Sequence, residues 1–181
     1  MPYASTDKSI ETIAGIVLAG GKSSRMGKDK ALMDFNGQTM LDHMINLLRS
    51  SGLKDIRVSG DYTGYDCISD PVDYPGPAAA IKRCMDFMPD HGGLVFVPVD
   101  MPFLSPDSLK NLLRFSQGAY YVDKLFPAFI PQQKIENDFT GRPVMALFEA
   151  VGLKGLEIPQ GDETSFANIN TPEDWQKLVA Q

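Results

Sequence analysis

The sequence predicts an α/β protein built on a doubly wound, mostly parallel sheet, and three observations carry that reading. Ile13-Ala14-Gly15-Ile16-Val17-Leu18 and Leu94-Val95-Phe96-Val97-Pro98-Val99 are short apolar runs without polar alternation, as expected of strands covered on both faces. Apolar stripes at the helical period lie between and after them. Strands that alternate with helices pair in parallel through right-handed crossovers. A chain of 181 residues fits one such unit, residues 1–181, at roughly 150 residues per domain.

Each element has its own local signal. The first run ends at Ala19-Gly20-Gly21. Met40, Leu41, Met44, Ile45, Leu47 and Leu48 then form an apolar helical stripe that stops at Ser51-Gly52. Residues 54–59 read as a strand and 65–69 as a weaker one. Pro71 to Pro77 is rich in proline and glycine, and Pro77 suits the first position of a helix over 78–88, where its missing N–H costs little. Pro98 removes a ladder donor, which argues against a central strand at 94–99 although the run is otherwise the most strand-like in the chain. Ser105-Pro106-Asp107 opens a helix through Phe115 as N-cap, first-turn proline and acidic first turn. From Tyr120 the pattern loosens: a strand over 126–130, a helix over 142–151 and a short strand over 156–158 are expected as additions flanking the first sheet. Thr171-Pro172-Glu173-Asp174 has the form of an N-cap and its third-position partner, starting a terminal helix through Val179.

Composition narrows the function. Hydrophobic residues at 43% and charged residues at 22% are globular values and exclude disorder as the main state. Seventeen Lys and Arg against 23 Asp and Glu give a net charge of −6, a field that repels nucleic acid and anionic membrane surfaces. A phosphorylated ligand must therefore meet a local cluster of cations, backbone amides or a metal. Two cysteines, Cys67 and Cys84, are too few for a disulfide framework and match no zinc spacing, so both are expected as reduced, half-buried thiols. The polar start lacks the apolar core of a signal peptide and no segment has ~18 consecutive apolar residues, which points to the cytoplasm.

The most informative segment is Leu18-Ala19-Gly20-Gly21-Lys22-Ser23-Ser24-Arg25-Met26-Gly27-Lys28-Asp29-Lys30, which leaves the end of a buried strand, the edge where open parallel sheets bind ligands. Gly20 and Gly21 let backbone amides approach an anion, and Lys22, Arg25, Lys28 and Lys30 place four cations within nine positions. That is the outline of a polyphosphate site; the alternative is a glycine turn with a solvated basic face. It is not a P-loop, since five residues separate Gly21 from Gly27 and Asp29 replaces the metal-binding hydroxyl. Adjacent glycines also exclude the dinucleotide fingerprint.

Asp100, at the end of the second apolar run, reaches the same edge. A lone carboxylate there suits Mg2+, which takes one or two protein carboxylates and completes its shell with water and substrate phosphates; the alternative is a turn residue before Met101-Pro102. No second carboxylate stands beside it in an Asp-x-Asp pair. Asp70 closes another strand at this edge and could accept from a purine or a ribose, or serve as a plain loop carboxylate. Asn168 and Asn170, spaced by two, face one side and either contact a ligand or cap a turn. His43 and His91 have no nucleophile or metal-ligand partner in the sequence and are expected as surface or core residues.

Taken together, these residues resemble the molybdenum cofactor guanylyltransferases and their nucleotidyltransferase relatives. The matching segments are Leu18-Ala19-Gly20-Gly21, Ser24-Arg25-Met26-Gly27, Asp29-Lys30, Asp70 before Tyr74-Pro75-Gly76-Pro77, Val99-Asp100-Met101-Pro102 and Phe166-Ala167-Asn168-Ile169-Asn170-Thr171-Pro172-Glu173-Asp174. The resemblance implies a Rossmann-like, three-layer α/β/α fold of the nucleotidyltransferase type, with a nucleotide-binding part at about 13–115 and an acceptor-binding part at about 116–181. It implies transfer of GMP from GTP to the phosphate of molybdopterin, with Mg2+ as cofactor and release of pyrophosphate. Leu18, Ala19, Gly20 and Gly21 would contact the nucleotide, Lys30 and Arg25 the phosphates, and Asp70 the guanosine. Asp100 would hold Mg2+ and the nucleotide, while Asn168 and Asn170 would lie near the acceptor or metal. Cofactor-synthesis proteins and recipient molybdoenzymes are the implied partners. The chain departs from the family at Ser59-Gly60-Asp61, where relatives carry Asn. The first motif is shared with cytidylyl- and sugar-phosphate nucleotidylyltransferases, and a non-catalytic nucleotide-binding partner that delivers a cofactor is the reading from another class.

Overall fold

The computed structural model describes residues 12–20, 29–69, 76–136, 138–171 and 174–175. Its centre is a seven-stranded sheet in the order β5-β4-β1-β6-β8-β7-β9. The strands are β1 (Ile13–Leu18), β4 (Ile56–Ser59), β5 (Cys67–Ile68), β6 (Gly93–Pro98), β7 (Ala119–Tyr121), β8 (Ala128–Pro131) and β9 (Lys154–Leu156). β1, β4, β5 and β6 run parallel, β8 pairs antiparallel with β6 and β7, and β9 runs parallel to β7. A separate hairpin joins β2 (Asp34–Phe35) to β3 (Gln38–Thr39) through Asn36 and Gly37, at φ 55° and 82°, the positive pair a two-residue turn of this kind requires.

Helices cover both faces, as the all-apolar strands demand. α1 (Met40–Ser50) and α3 (Pro106–Leu112) cover one face, where Val17, Val95 and Val97 point. α2 (Pro77–Phe87) and α4 (Val144–Ala150) cover the other, over Ala14, Ile16, Leu94 and Phe96. The six apolar residues read as the first helical stripe are the six that α1 buries. Thr39 caps α1 by accepting from the Asp42 amide at 3.0 Å, and Ser105 caps α3 by accepting from the Ser108 amide at 3.2 Å. The three-layer arrangement follows from this pattern.

The strand read at 94–99 is β6, with Pro98 as its last residue; β8 pairs only with Gly93 to Phe96, so Pro98 stands past the last antiparallel partner. Other expectations are corrected. The segments after Tyr120 extend the same sheet rather than flank it, because β8 adds antiparallel to β6 and carries β7 and β9 with it. β8 starts at Ala128, later than the expected 126; β9 lies at 154–156, ahead of the expected 156–158; and β5 is only two residues long. Both cysteines are free thiols, but Cys84 is fully buried in α2 and only Cys67 is half-buried. The end of the expected terminal helix lies outside the described residues. Among the described residues no helix is long and apolar enough to cross a membrane.

Candidate active site

Register places the site. Leu18 of β1 is level with Ser59 of β4 and with Pro98 of β6, so the loops that leave these strands start from one edge. The neighbours of β1 lie on opposite sides of it, with β4 reached first and β6 after the chain has crossed back, which makes this edge a topological switch point. The Val99 amide donates to the Leu18 carbonyl at 3.1 Å, carrying the β1–β6 ladder one residue further and setting Asp100 at the rim.

Four side chains meet there. Lys30 Nζ lies 3.6 Å from Asp100 Oδ2 and donates to Asn170 Oδ1 at 2.8 Å. Asn168 Nδ2 donates to Asp100 Oδ1 at 3.1 Å, and the Ile169 amide donates to the Asp100 carbonyl at 2.8 Å. Ile169 is buried between the two asparagines, so the spacing of two does put Asn168 and Asn170 on one side. The lysine and carboxylate side chains keep 16% and 21% of their surface exposed, enough for a ligand to reach both.

Local structure presents each of them. Asp29 is the N-cap of a 3-10 turn over Lys30–Leu32: its Oδ1 accepts from the Ala31 amide at 3.0 Å while buried Ala31 anchors the turn to the core. The chain at 168–170 is held from below by an N-cap pair, because Asp174 Oδ2 accepts from the Asn170 and Thr171 amides at 3.1 and 3.0 Å and its own amide donates to Thr171 Oγ1 at 3.1 Å. His43 of α1 donates from Nε2 to the Pro102 carbonyl at 2.7 Å, which fixes the proton on that nitrogen and ties the segment after Asp100 to the helix. His91 pairs with Asp55 at 3.1 Å, away from this cluster.

Leu18, Ala19 and Gly20 stand at the rim as expected, but their amides are partly committed. The Ala19 and Gly20 amides both donate to the Ser59 carbonyl, at 3.1 and 2.9 Å, so Gly20 continues the β1–β4 ladder instead of aiming its N–H at an anion. Gly21, Arg25 and Asp70 lie outside the described residues. Sequence reading missed Tyr62 and His43, whose partners at this edge are far away in the chain; it also missed the β2–β3 hairpin, for which Asn36-Gly37 was a usable signal.

Among the described residues no group of three or more His, Cys, Asp or Glu is placed to hold a metal. The donor set at the rim is one carboxylate flanked by an asparagine amide and a lysine, which fits a hard divalent ion that takes most of its ligands from water and phosphate oxygens.

Comparison with known proteins identifies the family and agrees with the fold. The family model described as the MobA-like NTP transferase domain matches residues 15–130. A molybdenum cofactor guanylyltransferase of Xanthomonas euvesicatoria pv. vesicatoria is 34% identical over 176 residues, covering 91% of this chain and 93% of its own. The crystal structure of molybdopterin-guanine dinucleotide biosynthesis protein A from Archaeoglobus fulgidus superposes with a TM-score of 0.72 at 18% identity, over 91% of this chain and 96% of that one. A Mycobacterium tuberculosis protein crystallised in complex with manganese superposes at 0.61 and 17% identity, over 94% and 99%. The family match over residues 15–130 and the 34% identity to a relative over most of both chains place this doubly wound chain in the MobA-like NTP transferase family: it is a nucleotidyltransferase.

Proposed function

We propose that the protein transfers GMP from GTP to the terminal phosphate of molybdopterin, yielding a guanine dinucleotide form of the cofactor and pyrophosphate. The observation that carries this reading is the convergence of Asp100, Lys30, Asn168 and Asn170 at the switch point of a chain that is 34% identical to a molybdenum cofactor guanylyltransferase. An oxygen of the acceptor phosphate forms a bond to the α-phosphorus of GTP as the bond from that phosphorus to the bridging oxygen breaks, and the electron pair leaves with pyrophosphate. No protein nucleophile is needed, so the protein contributes positioning and charge neutralisation.

In this reading Lys30 and Arg25 neutralise phosphate charge, Leu18, Ala19, Gly20 and Gly21 line the nucleotide, and Asp70 accepts from the guanosine. Asn168 and Asn170 orient Asp100 and Lys30 and face the acceptor. Asp100 would hold Mg2+, which supplies Lewis-acid stabilisation of phosphate oxygens when bound; the manganese complex of the mycobacterial neighbour supports use of a divalent ion. Residues at about 13–115 bind the nucleotide and those at about 116–181 the acceptor, within one domain. The product goes to recipient molybdoenzymes in the cytoplasm.

The test is pyrophosphate release from GTP with Mg2+, with and without molybdopterin, alongside calorimetric titration of GTP and CTP. Release that requires molybdopterin, with GTP bound more tightly, is expected. Tighter binding of CTP would move the protein to the cytidylyl branch, and release indifferent to molybdopterin would remove the acceptor from the proposal.

A further inference from the structure

The Tyr62 hydroxyl lies 3.0 Å from the Ala19 carbonyl oxygen and 3.2 Å from Asp29 Oδ1. It carries one proton and both neighbours are acceptors, so the two share that proton. Ala19 is the first residue beyond β1, and Asp29 is the cap of the turn that presents Lys30. The hydroxyl therefore ties Ala19 to Asp29, ten positions apart in the chain.

We propose that Tyr62 is a positioning residue, a staple that fixes the Asp29–Lys30 turn against the end of β1 and so sets where the Lys30 ammonium stands over Asp100. The backbone that carries the ring is itself held in place: the Tyr62 amide donates to Cys67 Sγ at 3.3 Å, its carbonyl accepts from that thiol at 3.4 Å, and the Tyr65 amide donates to the same carbonyl at 3.3 Å. Gly60 leaves room for it. A Cβ at position 60 would lie 2.9 Å from Tyr62 Cε2, and the backbone there has φ +139°, a region side chains rarely adopt. Gly60 is thus the local condition that lets the tyrosine reach across to β1. On the far side, Asp29 Oδ1 accepts from both Tyr62 and the Ala31 amide, so the staple and the cap of the Lys30 turn meet on one atom.

The kinetic part of this inference rests on the proposed transfer of GMP; the structural part does not. Tyr62→Phe keeps the ring and removes the shared proton. Amide exchange by NMR should be about tenfold faster at Ala31, whose acceptor loses its tether, and unchanged at Val95 and Phe96 in β6. The single-turnover rate at saturating GTP should fall about tenfold while GTP affinity changes less than threefold. Asp29→Ala should also slow transfer, and the double variant should be no slower than Asp29→Ala alone, since both remove one connection. The proposal is overturned by Ala31 exchange within twofold of wild type, by equal acceleration at Val95 and Phe96, by an unchanged transfer rate, or by additive losses in the double variant. Faster Ala31 exchange in a protein whose wild-type form transfers no GMP would retain the staple and refute the proposed reaction.

Discussion

Lys30 touches both Asp100 and Asn170, 3.6 and 2.8 Å away, and this contact separates a phosphate clamp from a diffuse basic face. If the ammonium neutralises charge that develops on the transferring phosphates, Lys30→Ala should lower the rate more than it weakens GTP binding, because only interactions stronger in the transition state accelerate chemistry. Loss of one well-placed charged contact should cost on the order of 10²–10³ in rate, by analogy with removal of an oxyanion donor. Lys28→Ala is the control, expected to change the single-turnover rate by less than about tenfold; equal losses in both variants would mean that the cluster acts only as a field. Asp100→Asn keeps the shape of the side chain and can still accept from Asn168 Nδ2 at Oδ1, so the fold should survive while turnover is lost. Near-normal turnover in a folded Asp100→Asn protein would remove Asp100 from the metal site.

At the scale of elements, the second half of the sheet depends on Tyr121 at the end of β7. Its ring is fully buried and meets Phe166 edge-on at 4.5 Å, and its hydroxyl donates to the Ser108 carbonyl of α3 at 3.0 Å. Burial pushes its pKa above the usual 10.0; Asp162 adds to the rise, and the Asn111 side-chain hydrogen bond opposes it. The folded protein then keeps a proton that the unfolded chain releases near pH 10, so this contribution is fully present below about pH 10 and is lost as pH rises toward the raised folded value. Tyr121→Phe should cost about 1–3 kcal/mol at pH 8, because the Ser108 carbonyl loses its donor. In urea unfolding the gap between wild type and variant should shrink above about pH 10. A gap independent of pH would contradict the assignment.

For the molecule as a whole, β1, β6 and α1 were legible because their apolar patterns are local: unbroken in strands buried on both faces, and at helical spacing over the sheet. β7 was not, and β9 was read two residues late, because three-residue strands carry no periodicity and their place depends on β8 adding antiparallel to β6. The candidate site divides the same way. Asp100 and Lys30 could be placed at one edge from strand ends alone. Their closure by Asn170, 140 positions from Lys30, and the tie from Tyr62 to Ala19, 43 positions away, have no local signature and follow only from the completed sheet. The net charge of −6 belongs to this scale too: it makes phosphate binding a property of the rim rather than of the surface, and so makes the chemistry at that rim the central claim.

The most direct test is one reaction containing the protein, Mg2+, molybdopterin and equal amounts of GTP, CTP, ATP and UTP, with every product identified by mass. The account predicts a single dinucleotide product, molybdopterin extended by GMP, formed together with pyrophosphate and absent with Asp100→Asn. A product extended by CMP, or no extended molybdopterin at all from the folded wild-type protein, would contradict it.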